Sequence, residues 1–280
     1  MNMRYAAALA LLLAGCKTTI SEDSLLRPQP APAVNARALQ AEAPAYAMTE
    51  HWIPVGGGVR LNAVLLRQPG ARATILYFGG NGYTIGQFAP MTARQFAALG
   101  VNLMIVDHRG YGRSEGRPSQ ADLEADGLVA FDYLTGVAGV PPGQVIVHGQ
   151  SLGSFIAGGV AARRPTGGAV LESSATTTEE WVDASHRGIA RMLVRVEIDP
   201  SLRGRGNLSN MAAIDEPLLI LVGAADRTTP PRLSQALYAA SPLPAERKTL
   251  AVIPRANHVD VMDRPETLTA YRAWLARLGK

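Results

Sequence analysis

Six short, almost wholly apolar runs of strand length recur through the chain, at 74–78, 101–106, 145–148, 168–171, 218–222 and 249–253. Between and after them lie segments with helical spacing: 88–99, stopped by Gly100; 119–134, opened by Ser119 as an N-cap with Asp122 three residues on; 152–163; 232–240; and 265–278. A strand that is apolar at every position is buried on both faces, and a sheet of such strands needs helices on both sides. The alternation therefore predicts the α/β class, with a mostly parallel central sheet and helices on both faces. Ahead of it, 51–55 and 59–66 flank the turn Gly56-Gly57-Gly58 and read as an antiparallel hairpin. Sheets of this kind bind ligands beyond the carboxyl ends of their strands, so chemistry is sought in those loops.

The pattern Gly-x-Ser-x-Gly occurs twice, around Ser151 and around Ser114. A serine nucleophile of this type sits on a sharp turn between a strand and a helix. Ser151 follows the run 145–148 and precedes a segment able to be helical, whereas Gly116 and Pro118 forbid a helix directly after Ser114. Ser151 is therefore the candidate nucleophile. A serine hydroxyl needs a base beside it. His258 lies in a loop after the last strand; His148 lies within a strand, and His108 follows the second run and could line a site. The base needs an acceptor on its other nitrogen. Asp226, leaving the strand 218–222, is the candidate; Asp260 and Asp263 are too near His258 in sequence to come from a separate strand end. Asp107, with Arg109, is read as holding the turn 107–112. Donors for a developing oxyanion are expected from the backbone N–H of Leu152 and from the loop 79–83, where Asn81 is the choice and Gly80 the alternative.

The N-terminus reads separately. Arg4 precedes the apolar run 6–14, which is too short to span a bilayer, a task needing about 20 apolar residues. It has the length of a secretory core segment. Leu13-Ala14-Gly15-Cys16 follows and looks like a bacterial lipobox, in which Cys16, the one cysteine of the chain, would carry lipid. The expected division is a lipoprotein signal peptide over 1–15, a flexible Pro- and Ala-rich tether over 16–47, and one domain over 48–280. Charged residues are only 18% of the chain and the net charge is +4 without a dense Lys/Arg run, which speaks against nucleic-acid binding. No His/Asp/Glu cluster has metal-ligand spacing, so neither metal nor cofactor is implied.

Together these residues resemble the α/β-hydrolase superfamily, most closely its small-lid serine hydrolases, described as esterases, thioesterases or serine aminopeptidase-like enzymes. The resemblance covers roughly 51–280 and rests on Tyr77-Phe78-Gly79-Gly80-Asn81-Gly82, on the segment 107–114, on the turn at Ser151, on 223–226 and on His258. Many relatives carry His-Gly before that Asn; here Gly79 stands in place of the His. The resemblance implies cleavage of an ester-type substrate through an acyl-enzyme, on a small-molecule or acyl substrate. With the lipobox it implies an enzyme anchored by lipid in a bacterial cell envelope, on the periplasmic side. The alternatives are a peptidase of the same fold, with Glu179 and Glu180 to meet a substrate amine, and a catalytically silent envelope protein that binds a partner. The excursion 173–216 is expected to be a lid. In it Trp181, Ser185, Ile189, Met192 and Val196 recur at helical steps, with Arg187, Arg191 and Arg195 as a second stripe. Trp181 and Met192 are the candidate substrate-pocket residues.

Overall fold

The computed structural model describes residues 16–185 and 194–278. Its strands, in chain order, are β1 (Cys16–Ile20), β2 (Ala47–Pro54), β3 (Arg60–Arg67), β4 (Thr74–Phe78), β5 (Asn102–Val106), β6 (Val145–Gln150), β7 (Gly168–Glu172), β8 (Val194–Ile198), β9 (Leu218–Gly223) and β10 (Lys248–Ile253). The helices are α1 (Glu22–Leu25), α2 (Ala36–Glu42), α3 (Ile85–Ala97), α4 (Gln120–Gly136), α5 (Leu152–Ala161), α6 (Thr178–Ser185), α7 (Pro231–Ala240) and α8 (Pro265–Leu275).

Eight strands form one sheet in the order β10-β9-β7-β6-β4-β5-β3-β2. All pairs from β5 to β10 are parallel, and the hairpin β2–β3 joins antiparallel through β3. Side chains alternate across each strand, so each run feeds two cores. Leu76, Phe78 and Val147 point into one, with Phe131 of α4 and Ile156 of α5. Ile75, Tyr77 and Ile146 point into the other, with Phe96 of α3 and Trp274 of α8. This is the doubly covered, mostly parallel sheet expected from the apolar runs. β4 pairs with β5 on one side and β6 on the other, with Phe78 opposite both Val106 and Gly149. The order of strands reverses there, and that reversal opens a crevice beyond Phe78.

Two expectations are corrected. The stretch 16–47, expected to be a flexible tether, packs on the domain. Leu26, Leu39, Ala43 and Tyr46 are buried, and the Tyr46 hydroxyl donates to the Val101 carbonyl at 2.7 Å. Its prolines steer it along the surface, where Pro30 bridges to Gly112. The anchoring residues have no regular spacing, so a periodicity argument cannot see them. The second correction concerns the lid. A single helix from Trp181 through Val196 does not form: Val194-Arg195-Val196-Glu197-Ile198 is a strand, β8, parallel to β1. Its alternating β-branched residues suit a strand with a partner, and the partner is remote in sequence. Residues 13–15 of the expected lipobox, and Arg187, Ile189, Arg191 and Met192 of the expected lid, lie outside the described residues.

Candidate active site

Ser151 sits between the end of β6 and the start of α5 with φ +52°, ψ −116°, a conformation side chains rarely adopt. Its neighbours make that turn possible. A Cβ on Gly149 would lie 2.0 Å from the Gly153 carbonyl oxygen, and one on Gly153 would lie 2.0 Å from the Phe78 carbonyl oxygen. No side chain fits either place. The turn is pinned from the next strand, where the Ser151 N–H donates to the Glu172 carbonyl at 2.9 Å. Ser114 is placed otherwise: its hydroxyl donates to the Asp107 carbonyl at 2.7 Å and accepts the Asn62 N–H at 2.8 Å, which locks a turn.

Asp226 and His258 come together because β9 and β10 run parallel in register to Gly223 and Ile253. The loops beyond them stay joined through Ala224 N–H to the Ile253 carbonyl (2.9 Å) and Ala225 N–H to the Ala256 carbonyl (2.8 Å). His258 Nε2 then stands 2.9 Å from Ser151 Oγ, and Nδ1 stands 2.9 Å from Asp226 Oδ2. Gln150 Nε2 donates to the His258 carbonyl at 3.1 Å and holds the histidine loop against the end of β6. The Asp226 carboxylate is itself oriented: Oδ1 accepts the Thr228 and Thr229 N–H groups, both at 2.8 Å, and Oδ2 accepts the Thr229 hydroxyl at 2.8 Å. Burial pushes this carboxyl up, but the hydrogen bond and charge of His258 and the Thr229 donors outweigh it and hold it below the usual carboxylate range. Asp260 and Asp263 are engaged elsewhere, with Arg264 and the Asn257 N–H, and with Gln95, respectively.

The N–H of Leu152 opens α5, where unpaired N–H groups and the helix dipole favour negative charge. Gly80 and Asn81 border the same space as Ser151 and His258. The Asn81 side chain is fixed by three bonds: Nδ2 donates to the Leu25 carbonyl at 2.5 Å, and Oδ1 accepts the Arg27 N–H at 2.9 Å and the Tyr111 hydroxyl at 2.8 Å. His108 Nε2 donates to the Gly79 carbonyl at 2.7 Å. The loop is thus propped by His108, Tyr111 and the segment of Leu25 and Arg27. Asp107 holds the following turn by accepting the Ile85 and Arg113 N–H groups, and Arg109 forks onto Asp126 instead.

These groups open on a cavity of about 520 Å³. Trp181 of α6 and Phe155 of α5 form part of its wall, and Thr18, Thr19 and Ile20 of β1 form another part. Met192 lies outside the described residues. Glu179 and Glu180 do not present free carboxylates: Glu179 accepts the Gly204 N–H and Glu180 binds the Thr176 hydroxyl. Sequence reasoning missed Thr229, although Asp226-Arg227-Thr228-Thr229 carries the signal of an acidic side chain capping the two amides that follow it. It missed the segment of Leu25 and Arg27 altogether. Among the described residues no group of three or more His, Cys, Asp or Glu could hold a metal ion, and no helix is long and apolar enough to cross a membrane.

The model of a serine aminopeptidase family, S33, matches residues 69–204. An uncharacterized protein of Mycobacterium tuberculosis is 32% identical over 63% of this chain and 60% of its own length. The chain thus spans less than two thirds of the first curated relatives it matches. The Alpha/beta hydrolase domain-containing protein WAV2 of Arabidopsis thaliana is 27% identical over 75% of this chain and 71% of its own. Among solved structures, the Pyrococcus furiosus esterase Pf2001 superposes with a TM-score of 0.71 at 16% identity, covering 90% of this chain and 98% of the esterase.

Proposed function

Because the chain belongs to the α/β-hydrolase superfamily, we propose that it is a serine hydrolase that cleaves a carboxylic ester or thioester through an acyl-enzyme. The observation that carries this reading is the unbroken chain from Ser151 Oγ through both nitrogens of His258 to Asp226, each link 2.9 Å long. Ser151 Oγ attacks the substrate's carbonyl carbon while His258 Nε2 takes its proton. Asp226 keeps the imidazole in the tautomer with its proton on Nδ1 and stabilises the imidazolium that forms. The oxyanion is met by the N–H groups of Leu152 and Asn81. As the tetrahedral adduct collapses, the bond to the leaving oxygen or sulfur breaks and His258 returns the proton to that atom. Water, deprotonated by His258, then cleaves the acyl–Ser151 bond and releases the acid. Trp181 and the rest of the large cavity hold the acyl chain. We also propose that a lipid on Cys16 anchors the protein in the cell envelope on the periplasmic side, supported by the pattern at 13–16; Cys16→Ser should then move it from the membrane to the soluble fraction.

A fluorophosphonate probe tests the centre of this reading. The wild type and Ser114→Ala should label, and Ser151→Ala should not, with its melting temperature retained. An unlabelled wild type, or label lost with Ser114 and kept without Ser151, would overturn it.

A further inference from the structure

A second cavity, about 180 Å³, lies beside the large one and shares Gly80 and Gln150 with it. Rings of Tyr77, Tyr83 and Phe88 line it. Glu172, 3% exposed, is its one charged group among the described lining residues. Glu172 Oε2 lies 3.0 Å from Nε2 of His148, which is wholly buried, and His148 Nδ1 lies 3.3 Å from the Tyr271 hydroxyl. His148 is thus held between the Tyr271 hydroxyl on one ring nitrogen and the Glu172 carboxylate on the other. No Lys or Arg pairs with Glu172 among the described residues. A carboxylate at the wall of a largely apolar cavity attracts a positive group, and ring faces attract cations too. The lining of this cavity therefore suits a cation.

We propose that this second cavity is a subsite for a compact ammonium group, primary or alkylated, on the leaving-group half of the substrate, with Glu172 as its counter-ion. It rests on Ser151 acting at the junction of the two cavities, with the acyl half in the larger one. The test compares choline acetate with 3,3-dimethylbutyl acetate, which has the same shape and no charge. In the wild type the cationic ester should have kcat/KM at least about tenfold higher, carried by KM, as expected for one desolvated charge contact. Glu172→Gln should bring the ratio close to one. A wild-type ratio of one or below overturns the proposal, whether or not the variant folds. So does a preference for aminoacyl amides, which would put the ammonium on the acyl half. If neither ester is turned over and the fluorophosphonate does not label, the hydrolase reading fails by itself. The subsite is then decided by calorimetric binding of tetramethylammonium: binding by the wild type that Glu172→Gln loses supports it, and no binding by the wild type overturns it.

Discussion

Replacing Asp226 by Asn changes one atom and should remove nearly all turnover, for a reason that lies in the loop rather than in the lost charge. Two backbone N–H groups, of Thr228 and Thr229, converge on Oδ1 at 2.8 Å each. In Asp226→Asn the carbonyl oxygen must keep that place. Turning the amide round would set its NH2 against both donors and leave each unsatisfied, at about 1–3 kcal/mol apiece. The NH2 therefore faces His258 Nδ1, now 2.9 Å from a carboxylate oxygen. Nδ1 becomes an acceptor, the proton moves to Nε2, and Nε2 can no longer take the proton of Ser151. Loss of the correct tautomer is worth about 10⁴ in kcat, or about 5.5 kcal/mol of barrier. The assay is steady-state hydrolysis of a chromogenic acetyl ester, with the melting temperature measured alongside to show that the fold is intact. A folded Asp226→Asn that loses less than about tenfold would refute the argument, since that is the size of one lost hydrogen bond to a charged group. So would an equal loss in Asp260→Asn, whose carboxylate does not contact the imidazole.

Thr229→Val removes the hydroxyl donor to Asp226 Oδ2 and should lower kcat/KM by about tenfold, the worth of one hydrogen bond to a charged group; no change, or a loss as deep as that of Asp226→Asn, would show that this contact is misjudged. Asp107 titrates in the other direction. Burial outweighs the Ile85 and Arg113 N–H bonds and raises its pKa from 3.8 to about 6. The folded state holds this proton more tightly than the unfolded chain does, so the stabilisation is complete below about pH 4 and is lost as pH rises through about 6, amounting to about 3 kcal/mol. Asp107→Asn should flatten that fall when denaturant unfolding is measured from pH 4 to 7, and an unchanged slope would count against it. For the acyl cavity, kcat/KM should rise as the acyl chain lengthens from acetyl to hexanoyl, by up to about 0.8 kcal/mol per methylene; Trp181→Ala should flatten the rise while acetyl ester is still cleaved, and a flat wild-type series would dismiss the pocket.

The parallel sheet was legible because its strands are short apolar runs set off by helical segments, and both features are local. Ser151 was separable from Ser114 for the same reason: strand, turn and helix follow one another in sequence. Asp226 and His258 could be named as loop residues after strands, but their meeting depends on β9 and β10 lying in register, which no local pattern states. What stayed hidden was non-local and aperiodic. Leu26, Leu39, Ala43 and Tyr46 are buried by surfaces formed far along the chain. Val196, which falls at a helical step after Trp181, was drawn into a strand by Cys16–Ile20. His108 could be flagged as near the site, yet its task of holding the Gly79 carbonyl depends on the fold.

The pairing of β1 with β8 also bears on the order in which the cavity is assembled. Cys16 lies opposite Val194, so one strand leaves the ribosome long before its partner, by roughly 10–35 s at ordinary rates of synthesis. Until Val194–Ile198 follow, Thr18 to Ile20 have no strand to pair with. Once formed, the ribbon has only two strands, and such a pair is marginal unless it packs on something larger. Opening it leaves the eight-stranded sheet untouched. Amide hydrogens of Thr18–Ile20 should therefore exchange through local opening, well ahead of those in β6, so that this wall of the cavity opens while the sheet that carries Ser151 stays closed.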